Sequence, residues 1–255
     1  MPHADSGQRR LVCPSCVCRT KDSNLSVESD NQAVSIADNL LRIRELIACA
    51  AEKSGRNPGS IKLVAVTKTV DAARIQEAIE AGVTDIGENY IQDSIEKFDI
   101  IGRSVKWHMI GHLQSNKAKQ AVEIFDLVQS VDSVHLASEI GKRSLTLGKT
   151  TSVLVEVNIS GEESKFGVSP EDVAQLCEEL YSISGVRVEG LMGIAPFVQD
   201  KDAIRKSFAQ LRELWERLPL ENRIWLSMGM TSDYEIAIEE GSNMVRIGTA
   251  IFGAR

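Results

Sequence analysis

The chain lacks the features that would direct it to a membrane or to nucleic acid. None of its 255 residues falls in an apolar run of the roughly 18 residues that a membrane-spanning helix needs. Acidic residues number 36 and basic residues 29, which gives a formal net charge of −7. An acidic surface repels phosphate backbones and anionic lipids, so we expect neither nucleic acid nor a membrane as partner.

Cysteine is scarce outside one short cluster. Cys49 and Cys177 are isolated in helical segments, so no disulfide framework is indicated and we expect a cytoplasmic protein. The other three cysteines form the sequence CPSCVC at positions 13–18. A tetrahedral metal site needs a fourth ligand, and only His3 is close in sequence. We therefore interpret these thiols as incidental.

The first 33 residues have little apolar content. Ser, Asp, Asn, Arg and Lys dominate them, and a segment of that composition buries too little apolar surface to fold. They lack the apolar stretch of a secretory signal, and their acidic residues fit a transit peptide poorly. We predict a disordered leader over residues 1–33 and one folded domain over residues 34–255.

No G-x-G-x-x-G sequence follows the first predicted strand, which argues against the alternative of an open, doubly wound sheet that binds dinucleotides. Strand and helix patterns alternate after an amphipathic helix at 34–54. Eight such units suit an α/β fold of the (β/α)8 TIM-barrel type, a single domain with an extra N-terminal helix. The predicted strands are 61–67, 84–87, 105–110, 126–130, 152–158, 186–192, 223–228 and 244–248. The predicted helices between them are 71–81, 90–98, 115–122, 134–147, 170–183, 200–217 and 233–240.

Polar residues and glycines gather at the predicted carboxyl ends of the strands, where barrels place their chemistry. The seventh strand leads into SMGMTSD and the eighth into RIGTA. Hydroxyls, backbone N–H groups at glycines and an arginine can all bind phosphate oxygens. Barrels commonly bind phosphate at these two strand ends. We predict a phosphate site there, from Ser227, Gly229, Thr231, Ser232, Arg246, Gly248 and Thr249.

Lys68 follows the first strand in the sequence VAVTKT and is predicted to face the same opening. Partial burial and a nearby cation would lower its pKa and free the amine as a nucleophile. A lysine opposite a phosphate site indicates a phosphorylated carbonyl compound held as a Schiff base. Pyridoxal 5′-phosphate (PLP) meets that requirement, and so does the sugar phosphate of a class I aldolase. Residue spacing does not choose between them.

His108 and His112 are four residues apart, a spacing that forms a metal pair only on a helix. The sequence VKWHMIG around His108 is typical of a strand, and no third ligand is evident. We therefore predict no metal site. His112 follows Gly111 in a loop, and we expect it to lie near the ligand at the opening or to hydrogen-bond the loop.

Taken together, the strand-end sequences resemble the pyridoxal phosphate homeostasis proteins, the YggS/PROSC family. The resemblance runs from about Val34 to Gly253 and leaves residues 1–33 outside. The matching stretches are LVAVTKT, GENYIQD, WHMIGHLQSNKAK, SVDS, VNISGEESKFG, GLMGIAPF and LSMGMTSDYEIAIEEGSNMVRIGTAIFG.

The resemblance implies a PLP-binding barrel similar to the N-terminal domain of alanine racemase. Lys68 would hold PLP as a Schiff base, and Arg246 would face the pyridine nitrogen and keep it unprotonated. Thr231 stands where the family usually has Ser, so a hydroxyl is kept. The predicted cofactor-binding residues are Lys68, Asn89, His112, Ser227, Met228, Thr231, Arg246, Gly248 and Thr249.

The resemblance also implies vitamin B6 and amino-acid homeostasis without turnover. Alanine racemases take a second base, a tyrosine, from an additional C-terminal domain, and we expect none here because the chain ends at Arg255. Of its three tyrosines, Tyr90 and Tyr234 begin predicted helices and Tyr181 lies within one. We expect a monomer or weak dimer that holds PLP and passes it to PLP-dependent apo-enzymes. A PLP-dependent amino-acid racemase or lyase is the alternative.

Overall fold

The computed structural model describes residues 35–162 and 165–253. The leader predicted over residues 1–33, with its cysteine cluster, lies outside these ranges. Within them, no helix combines the length and the apolar character needed to cross a bilayer. Nor do the described ranges bring three His, Cys, Asp or Glu side chains together as a metal site.

The described strands close into a parallel barrel in which each strand pairs with the next along the chain. The last strand pairs with the first, with Lys62 opposite Met244 and Ala65 opposite Ile247. This closed ring confirms the predicted (β/α)8 barrel. The strands are β1 Lys62–Val66, β2 Asp85–Glu88, β3 Lys106–Met109, β4 Leu127–Val131, β5 Thr151–Val157, β6 Val186–Gly193, β7 Trp225–Ser227 and β8 Met244–Ile247.

A helix follows every described strand, and one further helix precedes the barrel. The predicted helix over 115–122 is divided into a 3-10 turn at Ser115–Lys117 and α4, and the four-residue α9 was too short for periodicity to predict. The helices are α1 Ile36–Lys53, α2 Ala72–Glu80, α3 Ile91–Ile101, α4 Ala118–Ile124, α5 Val134–Thr146, α6 Val173–Tyr181, α7 Lys201–Glu216, α8 Tyr234–Glu239 and α9 Thr249–Phe252.

The extra helix α1 packs on the outside of the barrel against α8 and α9. Ser35 caps its first turn by accepting a hydrogen bond from the backbone N–H of Asp38. Its apolar residues recur at helical spacing and bury one face of the helix in the main core. The Asn39 side chain donates to the Ile251 carbonyl at 3.0 Å, which ties α1 to α9.

Side chains inside the barrel are of two kinds. One small apolar cluster lies apart from the main core and contains Val64, Leu127, Leu154, Met192 and Met244. Buried polar side chains from five strands contact one another beside it, at Asp85, His108, Gln129, Ser227 and Arg246. The main core instead fills the space between the strands and the surrounding helices. The barrel interior is therefore partly polar, and its polar residues lead towards the opening at the strands' carboxyl ends, here called the mouth.

Candidate functional site

Lys68 lies at the mouth, two residues beyond the end of β1. The ladder to β2 continues as far as Thr67, whose N–H donates to the Gly87 carbonyl at 2.9 Å. Because side chains alternate along a strand and Val64 points into the barrel, Lys68 has the same inward parity. Its side chain is exposed, however, so the predicted partial burial is wrong. The packed interior ends with the strand, and Lys68 extends where the barrel opens.

Two buried side chains hold the backbone immediately before Lys68. Lys97 of α3 donates from Nζ to the Thr67 carbonyl at 2.8 Å and to Glu88 Oε1 at 2.6 Å. The Thr67 hydroxyl donates to the same carboxylate oxygen at 2.6 Å. Thr69, on the other side of Lys68, has a φ of 61°, a left-handed conformation that is uncommon for threonine. The chain thus turns sharply at Lys68 from a fixed starting point.

A cavity of about 110 Å³ joins Lys68 to the end of β8. Its lining includes Lys68, Gly248 and Thr249, so two of the residues predicted for the phosphate lie beside the predicted amine. Gly248 is closely packed here, since a Cβ atom at this position would lie 3.2 Å from the Val66 carbonyl oxygen and from Val66 Cβ. A larger residue would press on β1 just before Lys68.

Arg246 is a buried cation on the inner face of β8. Its side-chain hydrogen bonds, within the described chain, go to two neutral acceptors: Nη1 to Ser227 Oγ at 2.6 Å and Nη2 to the Gly193 carbonyl at 3.0 Å. Burial lowers the pKa of Arg246 to about 10, and the nearby Glu156 and Asp233 oppose that effect. Arg246 remains charged at neutral pH, and no residue of the described ranges forms a direct ion pair with it.

Ser227, predicted for the phosphate, and Met228, predicted to bind the cofactor, both lie deep in the barrel. The Ser227 hydroxyl donates to Gln129 Oε1 at 2.6 Å while it accepts from Arg246. Met228 is fully buried in the main core, and its N–H donates to the Met244 carbonyl at 3.1 Å. The structure therefore brings Ser227 to Arg246 rather than to the cavity at Lys68. The phosphate role of Ser227 and the cofactor contact of Met228 stay predictions.

Thr231 lies in the turn between β7 and α8. Asp233 closes this turn by accepting a hydrogen bond from the Met230 N–H at 2.6 Å. Thr231 is exposed and lines a separate cavity of about 370 Å³, together with Lys201 and Arg205. The described residues around Lys68 do not include Thr231, so its predicted contact with the phosphate stays untested.

Asn89 and His112 line a larger cavity at the mouth, of about 600 Å³. The Asn89 Oδ1 atom is buried and has no hydrogen-bond partner among the described residues. The His112 ring stacks on Phe166 with a centroid distance of 3.9 Å, and its Nδ1 lies 3.8 Å from Asp132. His112 thus lies at the mouth, as predicted. The Asn89 Oδ1 atom, unpartnered among the described residues, is able to accept a hydrogen bond from a bound ligand.

Glu156, on β5, is a functional candidate that sequence reasoning missed. It lines the same large cavity, and its side chain is nearly buried. Burial, together with the nearby Asp132, raises the pKa of Glu156 to about 7, although Arg246 acts in the opposite direction. The signal in the sequence was a single acid inside the apolar stretch VLVEV, an expensive residue to bury without a role.

Glu156 makes a pH dependence of stability measurable. The folded protein holds this proton more tightly than the unfolded chain, so between pH 4.5 and about 7 unfolding releases it. The free energy of unfolding therefore falls as the pH rises, by at most about 1.4 kcal/mol per pH unit. We expect Glu156→Gln to remove this contribution in urea titrations over that range. Glu221→Gln, at an exposed site, is the control, and equal slopes for the wild type and Glu156→Gln would contradict the prediction.

The residues at the mouth fit PLP by their chemistry. Lys68 offers an amine on an exposed side chain, and Gly248 and Thr249 line the same cavity where β8 packs closely on β1. Arg246 offers a buried cation whose present partners are neutral, and Asn89 offers a buried oxygen without a partner. An aldehyde, a phosphate and an aromatic ring nitrogen each find a complementary group in this set.

Comparison with known proteins identifies the family. Residues 35–255 match the family described as "Alanine racemase, N-terminal domain". The pyridoxal phosphate homeostasis protein of Aquifex aeolicus is 40% identical over 222 residues, which span 86% of this chain and 97% of the relative. The family match covers the whole barrel.

Solved structures agree with this assignment. PipY of Synechococcus elongatus, in a structure with PLP bound, is 34% identical and superposes with a TM-score of 0.75, over 86% of this chain and all of PipY. An alanine racemase of Clostridium difficile, 18% identical, shares the fold with a TM-score of 0.64 over 86% of this chain and 57% of the racemase. The fold, the order of the strand-end sequences and these identities together show that the chain belongs to the family of pyridoxal phosphate homeostasis proteins.

Proposed function

We propose that the chain binds PLP at the mouth of its barrel, with Lys68 bonded to the aldehyde. It serves vitamin B6 and amino-acid homeostasis by holding PLP and releasing it. The observation that carries the proposal is the shared cavity of Lys68, Gly248 and Thr249. The PLP-bound structure of PipY, a relative of similar length, supports the same ligand for this chain.

Each residue of the mouth has a distinct task in this proposal. The Lys68 amine attacks the aldehyde carbon, a C–N bond forms, and the aldehyde oxygen leaves as water. Gly248 and Thr249 present backbone and hydroxyl donors to the phosphate. Arg246 presents its cation to the ring nitrogen and disfavours protonation there, which makes the ring a weaker electron acceptor. Bound PLP supplies an aldehyde that captures amines and a ring that accepts electrons.

Exposure of the mouth favours holding and release over turnover. Lys68 is exposed, so a bound aldehyde would stay open to water and to competing amines. The homologous proteins are named for homeostasis rather than for a reaction. Recipients of PLP in this proposal are the apo-forms of PLP-dependent enzymes, which this chain meets in the cytoplasm as a monomer or weak dimer.

One observation favours the alternative, a PLP-dependent racemase or lyase. Tyr90 is 61% exposed and lines the large mouth cavity together with Glu156. A phenol and a carboxyl group with a pKa of about 7 are both able to carry protons to a bound amino acid. Tyr234, by contrast, is buried and Tyr181 belongs to α6, so neither supports this alternative.

A proton-exchange experiment decides between the two functions. We expect the purified protein to turn yellow with PLP and to keep the colour after free PLP is removed. In deuterated water it should exchange the α-protons of alanine, serine and glutamate no faster than free PLP at the same concentration. Exchange above that background would favour the racemase or lyase. A protein that remains colourless after incubation with PLP would overturn the proposed function.

A further inference from the structure

A single chain of hydrogen bonds crosses the barrel interior from β8 to β2. Arg246 Nη1 donates to Ser227 Oγ at 2.6 Å, and the Ser227 hydroxyl donates to Gln129 Oε1 at 2.6 Å. Gln129 Nε2 lies 2.9 Å from His108 Nδ1, and His108 Nε2 lies 2.9 Å from Asp85 Oδ1. We call these five residues the interior chain. All five are buried.

The two ends of the interior chain, together with the orientation of the Gln129 amide, fix the direction of every bond in it. A guanidinium has no acceptor, so Arg246 must donate to Ser227. Ionised Asp85 has no donor, so it must accept from His108 Nε2–H. The intermediate groups then each accept one bond and donate one. The Gln129 oxygen accepts from Ser227, so the Gln129 Nε2–H group faces His108 Nδ1, and His108 is the neutral Nε2–H tautomer.

Asp85 is a well-stabilised anionic end for the interior chain. Burial raises its pKa, but the hydrogen bond and the electrostatic attraction of His108, a hydrogen bond from Thr84 and the nearby Lys62 outweigh that effect and bring the pKa to about 2. Lys62 Nζ lies 3.1 Å from both carboxylate oxygens. The carboxylate therefore stays ionised across the physiological range, and the polarity of the chain does not reverse.

We propose that Gln129 is a positioning residue for Arg246 and that it acts through Ser227 to keep the cation aimed at the ring nitrogen of PLP. This inference rests on the proposed function. Gln129 is the member that joins the Arg246 half of the interior chain to the His108 half, and it does not line the cavity beside Lys68. Its Nε2 also lies 3.2 Å from Met244 Sδ, so the side chain is held on two sides.

Ser227 alone cannot fix the orientation of the Arg246 side chain. A hydroxyl rotates freely unless its own proton is bonded, and here the Gln129 oxygen is the acceptor of that proton. Without this acceptor the Ser227 lone pairs lose their orientation and Arg246 keeps only the Gly193 carbonyl as a fixed partner. A guanidinium held by one hydrogen bond can rotate about it, so the contact of Arg246 with the ring of bound PLP weakens.

Two substitutions at Gln129 separate positioning from packing. Gln129→Leu keeps the approximate volume and removes the acceptor, and we expect about tenfold weaker PLP binding, the factor for one hydrogen bond to a charged group. The visible band of the lysine-bound cofactor should also shift, because the ring nitrogen has lost its fixed cation. Gln129→Glu keeps an oxygen for Ser227 and draws a second proton onto His108. It should therefore restore the affinity and the band of the wild type.

The controls make each outcome decisive. Leu180→Ala, in the outer core, lowers stability without touching the interior chain and should leave the band in place. Nitrogen NMR of the histidine rings without PLP should show the neutral Nε2–H form of His108 in the wild type and the doubly protonated form in Gln129→Glu. The inference is overturned if Gln129→Leu keeps the PLP affinity and the visible band of the wild type, or if the band shifts equally in all three variants. It is also overturned if His108 of the wild type is protonated on Nδ1. A wild type without any visible band would instead overturn the proposed function.

Discussion

Lys68→Ala should abolish the visible band that the wild-type protein acquires with PLP. The band requires a covalent bond between an amine and the aldehyde, and in our proposal Lys68 supplies that amine. Alanine leaves Gly248 and Thr249, the proposed phosphate residues, in place, so weak binding of PLP without the lysine-bound band should persist. The measurement is a visible spectrum after removal of free PLP, followed by borohydride reduction and peptide mapping of the modified lysine.

Lys68→Arg and Lys117→Ala are the matched controls. Arginine keeps the charge at position 68 but forms no stable bond with the aldehyde, so this variant should also be colourless. Lys117 lines the large mouth cavity, and its replacement should leave the band unchanged. If the Lys68→Ala protein stayed yellow while Lys117→Ala lost its colour, the amine would have to be assigned to Lys117.

Lys97→Met should cause the largest loss of stability among single substitutions near the site. The side chain of Glu88 is fully buried and that of Lys97 is 11% exposed, and their charged atoms are 2.6 Å apart. Removing the cation leaves a buried carboxylate whose Oε2 already has no partner among the described residues. We expect a loss of about 3–5 kcal/mol in the free energy of unfolding, measured by urea titration.

Two further variants test the cause of that loss. Lys142→Met removes an exposed lysine that pairs with Glu139 on α5, and it should leave the unfolding midpoint unchanged. The double substitution Glu88→Leu with Lys97→Met removes both charges and should recover a large part of the lost stability. If the double variant were as unstable as Lys97→Met alone, the loss would come from packing rather than from the unpaired carboxylate.

The barrel was predictable from the sequence because its signals are local. Apolar runs of four to eight residues, each followed by a helical pattern, need no knowledge of distant contacts, and the predicted strand ends lie within two residues of the structure. Asp71, a residue type that favours helix starts, caps α2 by accepting a hydrogen bond from the Arg74 N–H at 2.9 Å. The sharp turn at Lys68 and its exposure were not predictable, since they depend on where packing against β2 and α3 stops.

Only the part of the site that lies in recognisable sequence motifs was predictable. Lys68, Gly248 and Thr249 follow strand ends in recognisable sequences, and the structure brings them to one cavity. No sequence motif indicates the interior chain, because Asp85, His108 and Gln129 become neighbours only when the sheet closes. A polar residue at an inward position of a strand was the one available signal. It identifies a buried group but does not tell which partner that group meets.

Ring closure between β1 and β8 has a consequence for how the protein is made. Lys68 follows β1, the first strand, and Arg246 lies on β8, the last strand. A ribosome must therefore synthesise most of the barrel between the two residues. At about 5–20 residues per second this interval lasts on the order of 10–40 seconds. During this interval β1 has an open edge, where β8 will later pair. The nascent chain therefore lacks a complete binding site for PLP in our proposal. In our proposal, PLP is therefore captured only when synthesis of the barrel is nearly finished.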